Sequence, residues 1–367
     1  MRVLYFSQDY TPHDFRFLSA LSETEHDIFY LPLERVKSTE SRELPDDVQM
    51  VLGWGHTEPV SAFDVPFLRR KLRKLLGEIQ PDVVHAGPVQ KSAFLTALAG
   101  YQPLVTMSWG SDLLMDAQRG VGRCAARYAL SRSAILVCDC KAVRDVAVNL
   151  GMPEDRVIIF PWGVDLNHFN PDKSADVRKV LGWEDNFVLI STRAWEPLYG
   201  VDVLTDGFID AARIDANLRL LLLGAGSLES VIRSKLENAG ILDRVHFAGQ
   251  VSYDVLPNHY CSADLYISAS YSDGSSISLL EAMACGVPAL VSDIPGNREW
   301  VTPEKEGWWF ITGDPKSLSR GILMSVRNQK ALYEMAGAAR QITEKRANWQ
   351  ENFTSLLDAY SLAVAQV

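Results

Sequence analysis

The sequence contains no Cys-x-x-Cys pair. Its five cysteines, Cys124, Cys138, Cys140, Cys261 and Cys285, are an odd set. That excludes a complete disulfide framework and points to reduced, mostly buried thiols of a cytoplasmic protein. Cys138 and Cys140, in the run AILVCDC, read as strand residues, not metal ligands. No apolar run reaches the length needed to span a bilayer. The opening MRVLYFSQDYTP starts directly as a strand and is too short and polar for a secretory leader. Positive charge is in deficit: 36 Lys and Arg against 46 Asp and Glu, a net charge of -10, which argues against a nucleic-acid partner. No GxGxxG follows the first strand, so a nicotinamide dehydrogenase is disfavoured. There is no Asp-x-Asp and no convincing His/Asp/Glu set, so no essential metal and no cofactor are expected.

What the sequence does have is length and rhythm. Its 367 residues exceed one ordinary core and suggest two domains. Short apolar runs alternate with longer amphipathic segments. RVLYFSQ, HDIFYLPL, MVLGWG, DVVHAG, PLVTMSW, AILVCDC and VIIFPWG occupy the first half. FVLIST, LRLLLLGAG, RVHFAG, ADLYISAS, PALVSD and GWWFIT occupy the second. Continuous Val/Ile/Leu runs suit strands buried on both faces of a parallel sheet, and helical patterns such as SKLENAGIL and AFLTALAGY lie between most of them. The expected class is therefore α/β, with two Rossmann-like doubly wound domains. A polar stretch between about residues 163 and 185 reads as the linker, because the rhythm restarts at Phe187.

One stretch carries chemistry: YSDGSSISLLEAMACGVPALVSD. It follows the buried run ADLYISAS and so lies at a strand's carboxyl end, where ligands of such sheets bind. Ser276 or Ser278 would cap the helix ISLLEAMAC, whose N-terminus offers N–H groups and the positive end of a dipole to a phosphate. Gly274 and the small Ser275 allow close backbone approach. Glu281, about one turn into the helix, could accept from two ribose hydroxyls, and Asp273 from hydroxyls on the far side of a diphosphate. Two acids bracketing an anion site suit a nucleotide sugar. The plainer alternative is an acidic helix start with serine caps and a solvated Glu281.

The block D-G-S-S-I-S-L-L-E-A-M-A-C-G-V-P closely resembles the E-x7-E block of retaining GT-B glycosyltransferases, family 4 in particular. SWGSDLL, FPWGVDLNHFNP, STRAWEPLYGVDVLTDGF, LLGAGSLES and VHFAGQVSYDVLPNHYCSADLYIS resemble further family motifs in the same order. The resemblance implies two domains facing across a cleft: residues 1-165, rejoined by a C-terminal helix at about 347-367 that crosses back, and the donor-binding residues 166-346. It implies transfer of a sugar, with a UDP-sugar as the expected donor, to a hydroxyl of a glycan, lipid-linked sugar or small molecule. Catalysis would come from positioning and from stabilising diphosphate charge. It carries Asp273 over as the first acid, touching the donor sugar, Glu281 as the ribose acid, and Arg193 as the diphosphate cation. Asp273 stands where the family usually has Glu. Ser276, Ile277 and Ser278 would offer backbone N–H groups to the donor, and the turn at Gln250 and Val251 would contact its base.

Three positions depart from the pattern. The family's diphosphate Lys falls near Leu198 or Tyr199, so only the Tyr199 hydroxyl is available there. The His before the Gly of the family's HGSD motif, which reaches the donor sugar, is Trp109 here; the Trp would wall the donor site without the same hydrogen bonding or charge. The loop after the first strand lacks Gly-Gly and offers His13, which would touch donor phosphate or acceptor, or simply be solvated or cap a helix. For Arg193 the bland alternative is an ion pair with Glu196. His85 reads equally as a satisfied core residue, and Asp112 as a helix cap. The basic helix FLRRKLRKLLGEIQPD, residues 67-76 in particular, suits either peripheral contact with the inner face of a membrane or an ordinary solvated outer helix. An epimerase or hydrolase on the same scaffold, and a non-catalytic relative that binds a partner, remain the alternative functions.

Overall fold

The computed structural model describes residues 1–36, 40 and 42–366. Twelve of the thirteen apolar runs contain a strand; the run MVLGWG contributes only Met50, the end of a strand that starts at Val48. In the first half the strands are β1 (Arg2–Ser7), β2 (Asp27–Pro32), β3 (Val48–Met50), β4 (Val83–Ala86), β5 (Leu104–Met107), β6 (Ile135–Cys138) and β7 (Val157–Ile159). In the second they are β8 (Phe187–Ser191), β9 (Leu218–Leu223), β10 (Val245–Gly249), β11 (Leu265–Ser268), β12 (Ala289–Ser292) and β13 (Gly307–Phe310).

The strands form two sheets, ordered β3-β2-β1-β4-β5-β6-β7 and β10-β9-β8-β11-β12-β13. Every pairing within them is parallel. Both follow the 3-2-1-4-5-6 doubly wound order, and the direction of winding reverses between β1 and β4 and between β8 and β11. The central strands are buried on both faces, as continuous Val/Ile/Leu runs require, whereas the edge strands β3, β7 and β10 are partly exposed. Leu218, Leu220 and Leu222 of β9 face one core cluster, and Leu221 and Leu223 face another.

The chain packs into two compact units, Met1–Phe160 together with the segment from Phe353 onward, and Pro161–Asn352. The stretch read as a linker at residues 163–185 is thus part of the second unit. Val164, Phe169 and Trp183 are buried in its core, and Asp176–Leu181 forms a short helix. The polar composition of that stretch concealed these three anchors. The last helix, Trp349–Val364, buries Phe353, Leu356, Ala359, Tyr360 and Ala363. Cys138 ends β6, whereas Cys140 lies past the strand as the N-cap of the helix Lys141–Asn149. Among the described residues no helix is long and apolar enough to cross a membrane.

Candidate functional site

Arg193 leaves the carboxyl end of β8, and Asp273 to Ser278 follow the carboxyl end of β11. These strands are hydrogen-bonded neighbours at the point where the sheet order reverses. In sheets of this order the reversal point is where loops part and ligands bind. Two glycines hold the loops down. Gly200 has φ +59, and a β-carbon on it would collide with the Ala269 carbonyl. A β-carbon on Gly296 would press into the Gly274 and Asp273 carbonyls.

The Arg193 guanidinium is almost fully committed. Nη1 donates to Ser276 Oγ at 2.7 Å and to Ser278 Oγ at 3.1 Å. Nη2 meets Asp273 Oδ2 at 2.7 Å, with 11% and 19% of the two side chains exposed. The Tyr199 ring lies 4.1 Å beneath the guanidinium carbon, at cation–π distance. Tyr266 Oη and Ser278 Oγ, 2.9 Å apart, extend the chain of hydroxyls. Arg193 Nε is buried and has no hydrogen-bond partner among the described residues. Burial works to lower the affinity of Arg193 for its proton, but Asp273 and the surrounding tyrosines outweigh it and hold the value above the ordinary one. The group is a fixed cation.

Ser276 is the N-cap of the helix Ile277–Ala284, yet its side chain makes no capping hydrogen bond. Its hydroxyl accepts from Arg193 instead. Ser278 lies inside the helix and also turns to Arg193. The expected cap is therefore absent, which leaves the positive end of the helix open beside the guanidinium. Ser275 is buried and accepts from Trp300 Nε1 at 3.1 Å. Gly274 is buried, and its N–H donates to Asp273 Oδ1 at 3.1 Å. Ile277 and Val251 both pack, partly buried, against the second unit's core.

Glu281 sits eight residues past Asp273, inside the helix that the Asp273 loop precedes. Its Oε2 accepts from Tyr260 Oη at 2.8 Å, and Tyr260 Oη is 2.9 Å from Thr192 Oγ1. Burial, and then the Glu281 charge, push the Tyr260 phenol well above its usual range. It therefore stays a neutral donor that orients the carboxylate. Sequence reading missed Tyr260 and Tyr266; the visible signal was a polar-tipped aromatic in the segment NHYCSAD and another in the buried strand run DLYIS.

The alternative pairing of Arg193 with Glu196 does not form. Glu196 accepts from Ser227 N at 2.9 Å and from Ser227 Oγ at 2.5 Å.

In the first unit, His13 lies on the helix Pro12–Ser22, whose cap is Thr11 and not His13. The His13 ring lies 5.8 Å from the Trp109 ring, and Phe17 lies 6.4 Å from Trp109. His85 is buried; its Nδ1 is 2.6 Å from Tyr360 Oη, and burial lowers its pKa to about 3. It is a neutral core residue. The buried Asp112 carboxylate accepts from Val89 N, Ser108 Oγ, Trp109 N and Leu113 N at 2.6 to 3.1 Å. It ties together the segments around Val89 and Ser108–Leu113.

Comparison with known proteins gives matches in both units. The model described as glycosyl transferases group 1 matches residues 173–346, and the glycosyl transferase 4-like model matches residues 2–140. A D-inositol 3-phosphate glycosyltransferase of Geodermatophilus obscurus is 27% identical over 61% of this chain and 51% of its own. A GDP-mannose-dependent monoacylated alpha-(1-6)-phosphatidylinositol monomannoside mannosyltransferase of Corynebacterium glutamicum is 30% identical over 54% of this chain and 55% of its own. The chain thus spans about half the length of these curated relatives. Among solved structures, Anabaena Alr3699/HepE, crystallised with UDP, superposes with a TM-score of 0.81 at 18% identity, covering 98% of this chain and 100% of that one.

Proposed function

This chain belongs to the family of glycosyl transferases group 1, and on that premise we propose that it moves a sugar from a nucleoside diphosphate sugar to an acceptor hydroxyl, with retention at the transferred carbon. One observation carries the reading. A fixed guanidinium and an uncapped helix N-terminus converge at the reversal point of the second sheet. Such a site suits a diphosphate, whose charge grows as the sugar bond breaks.

Each residue then has a task. Arg193 and the backbone N–H groups from Ser276 to Ser278 neutralise the diphosphate without a divalent ion. Tyr199 stands where a second cation would, and it holds Arg193 in place through its ring. Glu281, oriented by Tyr260, accepts from the ribose hydroxyls. Asp273 sits between Arg193 and the donor sugar. In the first unit His13 and Trp109 would touch donor or acceptor. No side chain is assigned as general base, because the leaving phosphate can take the proton from the incoming hydroxyl on the same face.

A UDP-sugar is the favoured donor. The similarity to the Corynebacterium glutamicum mannosyltransferase makes GDP-mannose the competing choice, and the acceptor is a glycan, a lipid-linked sugar or a small molecule. The test is a panel of UDP-, GDP- and ADP-sugars, scored for thermal stabilisation and for slow hydrolysis in EDTA. One base should stabilise the protein at ligand concentrations well above its Kd, by about 2.7 kcal/mol at a hundredfold excess. A flat response across the panel rules the function out.

A further inference from the structure

Two thiols of the second unit lie beside the residues assigned to the nucleotide, and sugar transfer gives them no task. Cys261 ends the helix Leu256–Cys261, and Cys285 is the C-cap of the helix Ile277–Ala284. Both pack on the same apolar core, Cys285 buried and Cys261 half-buried. The Cys285 thiol donates a hydrogen bond to Cys261 Sγ. Cys261 Sγ in turn donates to the Asn170 carbonyl at 3.4 Å.

The pair belongs to the same helix contact as Glu281. Glu281 and Cys285 are four residues apart, and the Cys285 N–H donates to the Glu281 carbonyl at 3.0 Å. They therefore share one face of the helix, one turn apart. That face meets the helix Leu256–Cys261 twice. Tyr260 Oη donates to Glu281 Oε2 at 2.8 Å, and Cys261 lies against Cys285. Tyr260 and Cys261 are adjacent residues, so a movement at the thiols is passed directly to the hydrogen bond that orients Glu281.

The two thiols are not equivalent. The hydrogen bond from Cys285 lowers the pKa of the Cys261 thiol and outweighs burial, and the Lys173 N–H and charge add to the lowering. Cys285 is raised, by that same bond first and then by burial. The thiolate is the reactive form, so Cys261 is the attacking sulfur and Cys285 the resolving one. Two sulfurs fall short of a structural zinc site, and among the described residues no set of three metal-ligating side chains includes them.

We propose that Cys261 and Cys285 form a reversible disulfide switch, closed by a peroxide, that weakens nucleotide binding by displacing Tyr260 from Glu281. The Cys261 thiolate attacks one peroxide oxygen and the O–O bond breaks. The leaving hydroxide takes a proton and becomes water, and Cys261 is left as a sulfenic acid. The Cys285 sulfur then attacks Cys261 Sγ. The S–S bond forms, the S–O bond breaks, and the Cys285 proton leaves with the hydroxyl as a second water. Two thiols lose two electrons, and one peroxide is reduced to two waters. Bonding brings the sulfurs inside their contact distance, so closure draws the two helices together at this end. The effect on nucleotide affinity rests on the proposed donor site; formation of the bond does not.

The test uses the full chain carrying Cys124→Ser, which removes the exposed thiol. After hydrogen peroxide, the count of free thiols in denatured protein should fall by two. Peptide mapping should join Cys261 to Cys285 and find the buried Cys138 and Cys140 still reduced. Amide exchange across Ile277–Ala284 should change on oxidation with no nucleotide present. Of UDP, GDP and ADP, the one that binds should bind the oxidised protein at least about fivefold more weakly. Dithiothreitol should restore thiols, exchange and affinity. Cys261→Ser and, separately, Cys285→Ala should each abolish the cross-link and the change in affinity; the first, at the half-buried position, still decides the matter if the second does not fold. Thiols that stay reduced, oxidation of Cys261 without a cross-link, or a cross-link that leaves exchange and affinity unchanged overturns the proposal. If no nucleotide binds the reduced protein, the donor reading falls, while the cross-link and the exchange still decide whether the switch exists.

Discussion

At the scale of single residues, the Arg193–Asp273 pair decides how the site handles charge. With 11% and 19% of the side chains exposed, it is largely shielded from water. Part of the Arg193 charge is already answered before any ligand arrives. Asp273→Asn should therefore tighten binding of the bare nucleoside diphosphate, by about 1 kcal/mol or roughly fivefold, while turnover falls because the fixed anion beside the reacting sugar is gone. Calorimetry and a rate assay separate the two effects; weaker diphosphate binding in this variant would count against the arrangement. Glu281→Gln should cost about 1.5–3 kcal/mol in nucleotide affinity, the range for a hydrogen bond to a charged group, and Tyr260→Phe should lose part of the same energy by releasing the carboxylate. Equal nucleotide affinity in both variants would remove Glu281 from the site. The sequence carried these residues and their order but not their bonds. Asp273 and Glu281 stood out because two acids bracketed small residues. Pairing Asp273 with Arg193 required β8 and β11 to be neighbours, a contact across eighty residues of chain.

At the scale of elements, the helix Pro12–Ser22 sets a pH test. Its Thr11 and Asp14 form a reciprocal cap, and Tyr5 Oη donates to Asp14 Oδ1 at 3.1 Å. Burial pushes the Asp14 carboxyl up to about 6, against hydrogen bonds from Thr11, Ser7 and Tyr5 that pull it down. Because the folded value lies above the unfolded one, this group's stabilisation is complete below about pH 3.8 and is lost as pH rises through about 6. His85 acts in the opposite sense. Burial lowers it to about 3, so its contribution is present above about pH 6.5 and is lost as pH falls from there. In the wild type the two slopes partly offset between pH 4 and 6. Asp14→Asn removes one of them. Relative to wild type, this variant should gain unfolding free energy from pH 4 to pH 8, by up to about 3 kcal/mol for a shift of some two units. Urea unfolding across that range measures it, and a pH-independent difference would contradict the buried-carboxyl account. The strands themselves were legible, because continuous apolar runs bounded by Gly, Pro or Asp leave few alternatives. The short helical turns around Asp112 and Pro197 were not, since they are set by tertiary hydrogen bonds such as those converging on the Asp112 carboxylate.

At the scale of the whole molecule, two doubly wound units hold separate chemistries on one chain. The second supplies an anion site at its sheet reversal. The first supplies His13 and Trp109 at one end of its sheet. The two-domain organisation could be read from length and from the restart of the strand rhythm. The extent of the second unit could not, because its first residues are polar while their few aromatic anchors are buried. The central claim is that Arg193 holds the donor's diphosphate. Removing Arg193 alone would strand the shielded Asp273 charge and confuse binding with folding, so the comparison needs Arg193→Ala made together with Asp273→Asn. The decisive measurement is calorimetric titration of the wild type, Asp273→Asn and the double variant with UDP, GDP and ADP. One nucleotide should bind the wild type, bind Asp273→Asn more tightly, and bind the double variant at least about tenfold more weakly than the wild type, consistent with loss of a charged contact. A double variant that still unfolds cooperatively and binds that nucleotide as well as the wild type would contradict the claim.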